Sequence, residues 1–279
     1  MPIDAKTLPP LREVIGRHGL LAKRSLGQNF LLDMNLTRRI AFAGGDFKGI
    51  NVIEVGPGPG GLTRGLLDTE APSIHAIERD DRCVAALQEL VDVTDGRLIV
   101  HADDALKADY AAICPAPRAI VANLPYNIAT TLMIGWLKQL SLFESFTLMF
   151  QKEVAERIVA VPRTKDYGRL SVLAQWLCTA EKKFDIPPEA FTPPPKVTSS
   201  VVHIVPKPRT DDIEIEVMER LTAAAFGQRR KMLRQSIKSL GVDAEAFLTA
   251  AEVSPTARAE EIDIAGFVRM AEVLRKIKA

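Results

Sequence analysis

The chain has 279 residues, 47% hydrophobic and 25% charged, with a formal net charge of +1. These are ordinary globular values, and the near-neutral balance excludes nucleic-acid binding through bulk basicity, so any such contact must come from local clusters of cations. Cys83, Cys114 and Cys178 form no CxxC, and His18, His75, His101 and His203 are scattered, which argues against a disulfide framework or a metal site.

The N-terminal stretch "MPIDAKTLPPLREVIGRHGL" lacks an unbroken apolar core of the signal-peptide kind. No apolar run approaches bilayer length, so the expectation is a reduced, soluble, cytoplasmic protein without membrane contact. Residues 1–45 read as a helical lead-in, with "DMNLTRRIAFAGG" closing at Gly44 as a C-cap. Five short apolar runs follow: "NVIEVG" (51–56), "SIHAIE" (73–78), "RLIVH" (97–101), "RAIVAN" (118–123) and "FTLMFQ" (146–151). Several are apolar throughout, as strands of a parallel sheet are when helices cover both faces. Helical patterns separate them: "GLTRGLLDT", "RDDRCVAALQELV" and "IATTLMIGWLKQL". The order is βαβαβ, so a doubly wound α/β sheet is predicted. "KKFDIP" and "SSVVHIVP" add two strands with no helix between them. That makes seven strands, the last two an antiparallel pair at one edge. Beyond about residue 207 strand signals fade and three helical stretches remain, so residues 1–207 are expected to form the α/β domain and residues 208–279 a small all-α domain.

"IEVGPGPGG" follows the first of these strands directly. Gly56, Gly58, Gly60 and Gly61 allow a tight strand-to-helix turn whose amides can approach a ligand. The spacing satisfies both the dinucleotide fingerprint and the pattern of S-adenosylmethionine (SAM) methyltransferases. Glu78 ends the next strand, where a carboxylate can accept both hydroxyls of a ribose. The alternative is a helix N-terminal acid stabilised by the macrodipole, and with the glycine loop present ribose binding is favoured over it. The third strand ends in "HADDAL", and Asp103 and Asp104 compete as acceptors for a cofactor adenine amine. Spacing does not separate them.

The fourth strand runs into "NLPYN" (123–127), pointing at the same crevice. In isolation this is an ordinary turn, since Asn and Pro both favour turns. Beside a cofactor loop it has a chemical use. The exocyclic amine of adenine is a poor nucleophile because its lone pair is delocalised into the ring. The side-chain oxygen of Asn123 and the carbonyl of Leu124, held by Pro125, can accept its two N–H bonds. That draws the nitrogen toward tetrahedral geometry. Tyr126 can stack on the base. In-line attack on the sulfonium methyl of SAM then needs positioning and electrostatics rather than a strong base.

"FGQRRKMLRQSIK" (226–238) carries Arg229, Arg230, Lys231, Arg234 and Lys238 without an acid. Phe226, Met232, Leu233 and Ile237 could form the buried stripe of one helix. Its basic face could lie on a phosphate backbone, although a solvated helix face is the commoner meaning of a charge run. Arg17, Lys23 and Arg24 near the N-terminus form a second candidate contact.

The blocks "SLGQNFL" (25–31), "IEVGPGPGGLT" (53–63), "IERD" (77–80), "DDAL" (103–106), "NLPYNI" (123–128), "QKEVAERI" (151–158), "YGRLSV" (167–172) and "FTPPPKVTSSVV" (191–202) occur in the order of one family. The chain closely resembles the bacterial small-subunit ribosomal RNA adenine dimethyltransferases, the KsgA/RsmA family. The resemblance implies a Rossmann-like SAM-dependent methyltransferase that places two methyl groups on each of two adjacent adenines near the 3′ end of small-subunit (16S) rRNA, with the immature small ribosomal subunit as partner. It implies that Gln28, Asn29 and Leu31 close over the methionine end of SAM, and that Gly56 and Gly58 cradle its amino-acid end. Glu78 would bind the ribose. Asp104 would bind the adenine amine, with the Ala105 amide beside it, although the additional Asp103 is a departure. Asn123, Leu124, Pro125 and Tyr126 would form the target-base motif, Asn123 also facing the cofactor. Phe191 would pack near the flipped base. A monomer without a metal is expected.

Three other readings remain open on sequence. An NAD(P)-dependent oxidoreductase explains the glycines and Glu78 but neither "NLPY" nor the basic segment. A non-catalytic ribosome-binding factor leaves Asn123 and Tyr126 without a purpose. A resistance methylase acting on large-subunit rRNA is closely related, and the "FTPPPKV" block and its continuation into "FGQRRKML" favour the small-subunit type by resemblance.

Overall fold

The computed structural model describes residues 8–20 and 29–278. In chain order its strands are β1 (Phe30–Leu31), β2 (Asn51–Val55), β3 (Ile74–Glu78), β4 (Leu98–Ala102), β5 (Arg118–Asn123), β6 (Ser145–Gln151), β7 (Cys178–Ile186), β8 (Phe191–Thr192) and β9 (Ser199–Pro206). Seven of them form one sheet in the order β4-β3-β2-β5-β6-β9-β7. The β2–β3, β3–β4, β2–β5 and β5–β6 pairs are parallel, and β9 runs antiparallel to β6. Every residue of β2 and β3 is buried, as are all but the last of β5 and β6. That explains why these runs are largely apolar without alternating: helices cover both faces. Edge strand β4 alternates more and is partly exposed. The predicted doubly wound α/β sheet is therefore the one observed.

The order reverses between β2 and β5, which lie side by side although β3 and β4 intervene in sequence. Their carboxyl ends diverge there and open the crevice in which such sheets bind ligands. The loops leaving those ends are "GPGPGG" and "LPYN". The helices Gly61–Leu67, Asp81–Val91 and Ala129–Leu137 occupy the predicted positions.

Two features around the sheet differ from the expectation. The lead-in helix Met34–Ala41 continues as a 3₁₀ turn, Phe42–Gly44, and stops at Gly45, whose φ is +112°. Gly44 is needed for closeness instead, because a Cβ there would collide with Thr147 Oγ1 on β6. The second difference is a two-stranded ribbon, β1 with β8, pairing Phe30 with Thr192 and Leu31 with Phe191. Two-residue strands are too short to leave a periodic signal.

Contacts divide the chain into two compact units, Met1–Ala155 with Glu181–Pro206, and Glu156–Ala180 with Lys207–Ala279. The second unit contains the helices Arg169–Leu177, Ile215–Phe226, Leu233–Ser236, Ala244–Ala250 and Ile264–Lys278. Phe226 stacks on Phe267 with centroids 5.6 Å apart and takes the edge of Tyr167 at 6.0 Å. Such pairs add about 1 kcal/mol each beyond simple burial.

The single basic helix predicted across 226–238 does not form. The first helix ends at Phe226, residues 227–231 are turns and a bend, and helix resumes at Leu233. The cause is tertiary. The amides of Leu233 and Arg234 donate to the carbonyls of Ala257 and Pro255, bonds that a continuous helix would have claimed.

All three cysteines are buried and none is in a disulfide. Burial pushes the Cys114 thiol up to about 11 and that of Cys178 up to about 12.

Candidate active site

A cavity of about 250 Å³ opens at the carboxyl ends of the strands within the first unit. Five stretches meet in its wall: Asn29–Leu31, the glycine loop, Glu78–Arg79 at the end of β3, Asp103–Ala105 at the end of β4, and Asn123–Ile128.

Gly58 shows why the loop needs glycine. Its φ is +56°, and a Cβ would lie 3.2 Å from the Phe30 ring. Its amide donates to Glu78 Oε2 at 3.0 Å. At Gly61 a Cβ would collide with the Leu31 carbonyl, so the start of the helix and the β1 strand can meet only without a side chain. Gly56 stands beside the other motif, its Cβ position 4.0 Å from both the Asn123 carbonyl and Pro125 Cδ.

Glu78 is 7% exposed. Besides Gly58, it accepts from the amides of Arg79 (2.8 Å) and Asp80 (2.9 Å) on Oε1. Burial raises its pKa and these amides oppose the rise. A carboxylate with several lone-pair sites can hold this loop and still accept ribose hydroxyls.

At the end of β4, Asp103 Oδ1 accepts from the Asp104 amide (2.7 Å), and Asp104 Oδ1 accepts from the Leu106 amide (3.0 Å). Arg79 Nη1 lies 3.8 Å from Asp104 Oδ2. Both acids line the cavity, as does Ala105, whose carbonyl accepts from the Tyr110 hydroxyl at 2.6 Å.

Asn123 Nδ2 donates to the Asn29 carbonyl at 3.3 Å. A carbonyl can only accept, so this bond fixes the flip of the amide and leaves Oδ1, an acceptor, for the cavity. Leu124 is buried. The Pro125 carbonyl accepts from the amides of Ile128 and Ala129, both at 3.1 Å, which ties the turn to the start of its helix. The Tyr126 hydroxyl lies 2.5 Å from Ser199 Oγ. This constellation joins a buried acid, a glycine loop and an oriented amide in one crevice.

A family model described as ribosomal RNA adenine dimethylase matches residues 19–276. The chain belongs to the ribosomal RNA adenine dimethylase family. Members of this family are methyltransferases of ribosomal RNA, and so is this chain. Two relatives named ribosomal RNA small subunit methyltransferase A are similar over nearly the full length. The one from Rhodospirillum rubrum is 59% identical over 268 residues, covering 96% of this chain and 93% of the relative. The one from Xanthobacter autotrophicus is 60% identical over 276 residues, covering 98% and 96%. Among solved structures, a dimethyladenosine transferase from Plasmodium falciparum superposes with a TM-score of 0.70 at 25% identity, covering 86% of this chain and 95% of that one. The 23S rRNA methyltransferase ErmE superposes with a TM-score of 0.67 at 28% identity, covering 88% and 100%. The dimethylase fold and the seven-strand sheet thus agree.

The dimethylase cavity brings together Asn29, Leu31, Gly56, Gly58, Glu78, Asp104, Ala105, Asn123, Leu124, Pro125 and Tyr126, together with Asp103. It also recruits Phe30, Arg79, Asn127 and Ile128, each inside a motif block but without an assigned role there. Phe30 sits inside the "QNFL" block, so its position was available, but only the close approach to Gly58 gives it a reason. Gln28, Lys23 and Arg24 lie outside the described residues. Phe191 is not in the wall. It is 3% exposed, packed in the core cluster with Leu31.

The basic residues occupy the second unit. Arg229 Nη2 donates to the carbonyls of Lys165 (2.7 Å) and Tyr167 (3.0 Å) and lies 3.9 Å from Glu260 Oε2. It therefore staples a loop. Arg230 and Lys231 are exposed. Arg234 lies 3.5 Å from Glu245 Oε1.

Glu54, the fourth of the five residues of β2, is 1% exposed and its carboxyl oxygens meet no hydrogen-bond partner. Burial is the main cause that pushes its pKa up to about 8, with the Glu78 charge adding to it and Thr63 opposing it. The folded state therefore keeps a proton that the unfolded chain releases near 4.5. This contribution to stability is complete below that value and is lost as pH rises through 8. Glu54→Gln removes the titration. Relative to wild type its melting temperature should rise between pH 6 and pH 9, by on the order of a few kcal/mol in stability. Melting curves across that range check it, and parallel profiles would refute it.

Among the described residues no group of three or more His, Cys, Asp or Glu could hold a metal ion. No described helix is long and apolar enough to cross a membrane.

Proposed function

We propose that the protein uses SAM to dimethylate the N6 amines of two adjacent adenines near the 3′ end of small-subunit (16S) rRNA, acting as a cytoplasmic monomer on immature small subunits. The observation that carries this reading is the Asn123 amide, turned by the Asn29 carbonyl so that its oxygen is left for the cavity. The donor set fits SAM: the Gly58 amide and Glu78 form a built sugar-side cradle, and Asp103 and Asp104 offer acceptors for an adenine amine. SAM supplies a methyl group activated on a sulfonium.

The chain's residues do the rest. Asn123 Oδ1 and the Leu124 carbonyl accept the N–H bonds of the target amine and localise its lone pair. Pro125 fixes the carbonyl, and Tyr126 stacks on the base. Burial raises the Tyr126 pKa, so the phenol keeps its proton and serves as a surface rather than a base. Asn29 and Leu31, with Gln28, would enclose the methionine end. Phe191 would reach the base only through a rearrangement at β8. The relatives named for the small subunit, at 59% and 60% identity, favour that target over a large-subunit one. Unmethylated small subunits and, separately, large subunits incubated with labelled SAM, followed by mapping of the modified bases, test the reading. Label confined to large-subunit rRNA, or absent from both, would overturn it.

Residues 208–279 would contact the RNA through exposed cations. Because Arg229 staples a loop, Arg230 and Lys231 are the residues to remove. Their double alanine variant should lower the salt slope of RNA binding by about two units at unchanged melting temperature. Arg229→Ala should instead lower the melting temperature. An unchanged salt slope in the Arg230/Lys231 variant would remove these residues from the interface.

A further inference from the structure

Stacking needs only a ring, which phenylalanine would supply equally well. The Tyr126 hydroxyl therefore calls for its own explanation. It lies 2.5 Å from Ser199 Oγ, and Ser199 has no exposed surface. Ser199 is the first residue of β9 and pairs with Gln151, the last residue of β6. Because β9 runs antiparallel to β6, its start lies at the same end of the sheet as Asn123, the last residue of β5. The strands β5, β6 and β9 are consecutive in the sheet. Tyr126 is thus attached at two points: its backbone on the turn after β5, its hydroxyl on β9. Its side chain spans the carboxyl end of β6 like a strut.

A turn residue held only by its backbone keeps two free side-chain torsions. A bond at the para position of the ring, to a hydroxyl on a buried strand, restricts both. We propose that Ser199 is a positioning residue of the methyl-transfer reaction, holding the Tyr126 ring in one orientation through its hydroxyl so that the target adenine stacks at a fixed angle with its amine at Asn123. The inference rests on the reading of Tyr126 as the stacking face. A misaligned base still binds but reaches the reactive geometry less often, so the loss should fall on turnover.

The test is a double-mutant cycle at Tyr126 and Ser199, read by single-turnover methyl transfer to unmethylated small subunits, with SAM affinity and melting temperature measured in parallel. Tyr126→Phe keeps the ring and Ser199→Ala keeps the phenol, and each breaks the same bond. Each should lower the methyl-transfer rate at saturating substrate about tenfold, the scale of one lost hydrogen bond, with KM for the subunit and the SAM dissociation constant changed less than about twofold. The double variant should be no slower than either single, because one interaction is removed in all three. Wild-type turnover in Tyr126→Phe, or losses that multiply to about a hundredfold in the double variant, would overturn the strut. If Ser199→Ala fails to fold, Tyr126→Phe alone decides by the same rate criterion. Tyr126→Ala separates this proposal from the reading beneath it. Full activity there would remove the stacking role itself, whereas a large loss alongside a fully active Tyr126→Phe would remove only the part given to Ser199.

Discussion

Replacing Asn123 by alanine is expected to cut methyl transfer by about 10²–10³-fold, the range seen when one preorganised polar group is lost from a transition state. The effect should be this large because the side chain does two things. Its Nδ2 is tied to the Asn29 carbonyl, which costs the site no reorganisation during reaction, and its Oδ1 is left as an acceptor for the target amine. Alanine removes the acceptor and also leaves the Asn29 carbonyl without that donor. SAM affinity should change much less, because the sugar-side contacts belong to other strands. Asn123→Asp keeps acceptor oxygens but cannot donate to Asn29, so its loss should reflect misorientation together with the added negative charge. Rapid-quench methyl transfer to unmethylated subunits measures each rate. Near-wild-type turnover in the alanine variant would end the mechanism.

Glu78→Ala should instead weaken SAM binding, by about a hundredfold, with the maximal rate at saturating SAM much less affected. Hydrogen bonds to a charged group are worth about 1.5–3 kcal/mol, so two ribose contacts reach that size. A second loss adds to it. The carboxylate accepts from the amides of Gly58, Arg79 and Asp80, and removing it orphans buried donors and loosens the glycine loop. Glu78→Gln keeps one acceptor oxygen and should fall between the two. Calorimetric titration with SAM reads the affinity, with circular dichroism to confirm that the fold survives. Unaltered affinity would take the ribose role from this residue.

The sheet was legible in sequence because its signal is dense. Runs such as "NVIEV" and "RAIVAN" are largely apolar without alternation for a single physical reason, burial on both faces, and the glycine loop announces the turn that follows β2. The pocket was legible for a related reason: doubly wound sheets place the loops after neighbouring strands together, so Gly56 and Asn123 could be assigned to one crevice before any distance was known. What stayed hidden depends on contacts distant in sequence. The amides of Leu233 and Arg234 are claimed by Ala257 and Pro255, and no periodicity within 226–238 could reveal that competitor. Arg229 looked like its basic neighbours until its guanidinium was found on the carbonyls of Lys165 and Tyr167. Phe30 and Ser199 matter through partners nearly thirty and more than seventy residues away, beyond the reach of any local pattern.

The three sheltered cysteines make the protein its own stability probe. Cys83 and Cys114 fall in one compact unit and Cys178 in the other. A thiol reagent added to the native protein should modify each only when its surroundings open, at a rate set by that opening. Site-resolved labelling would then report how firmly each unit holds together, without a label being engineered.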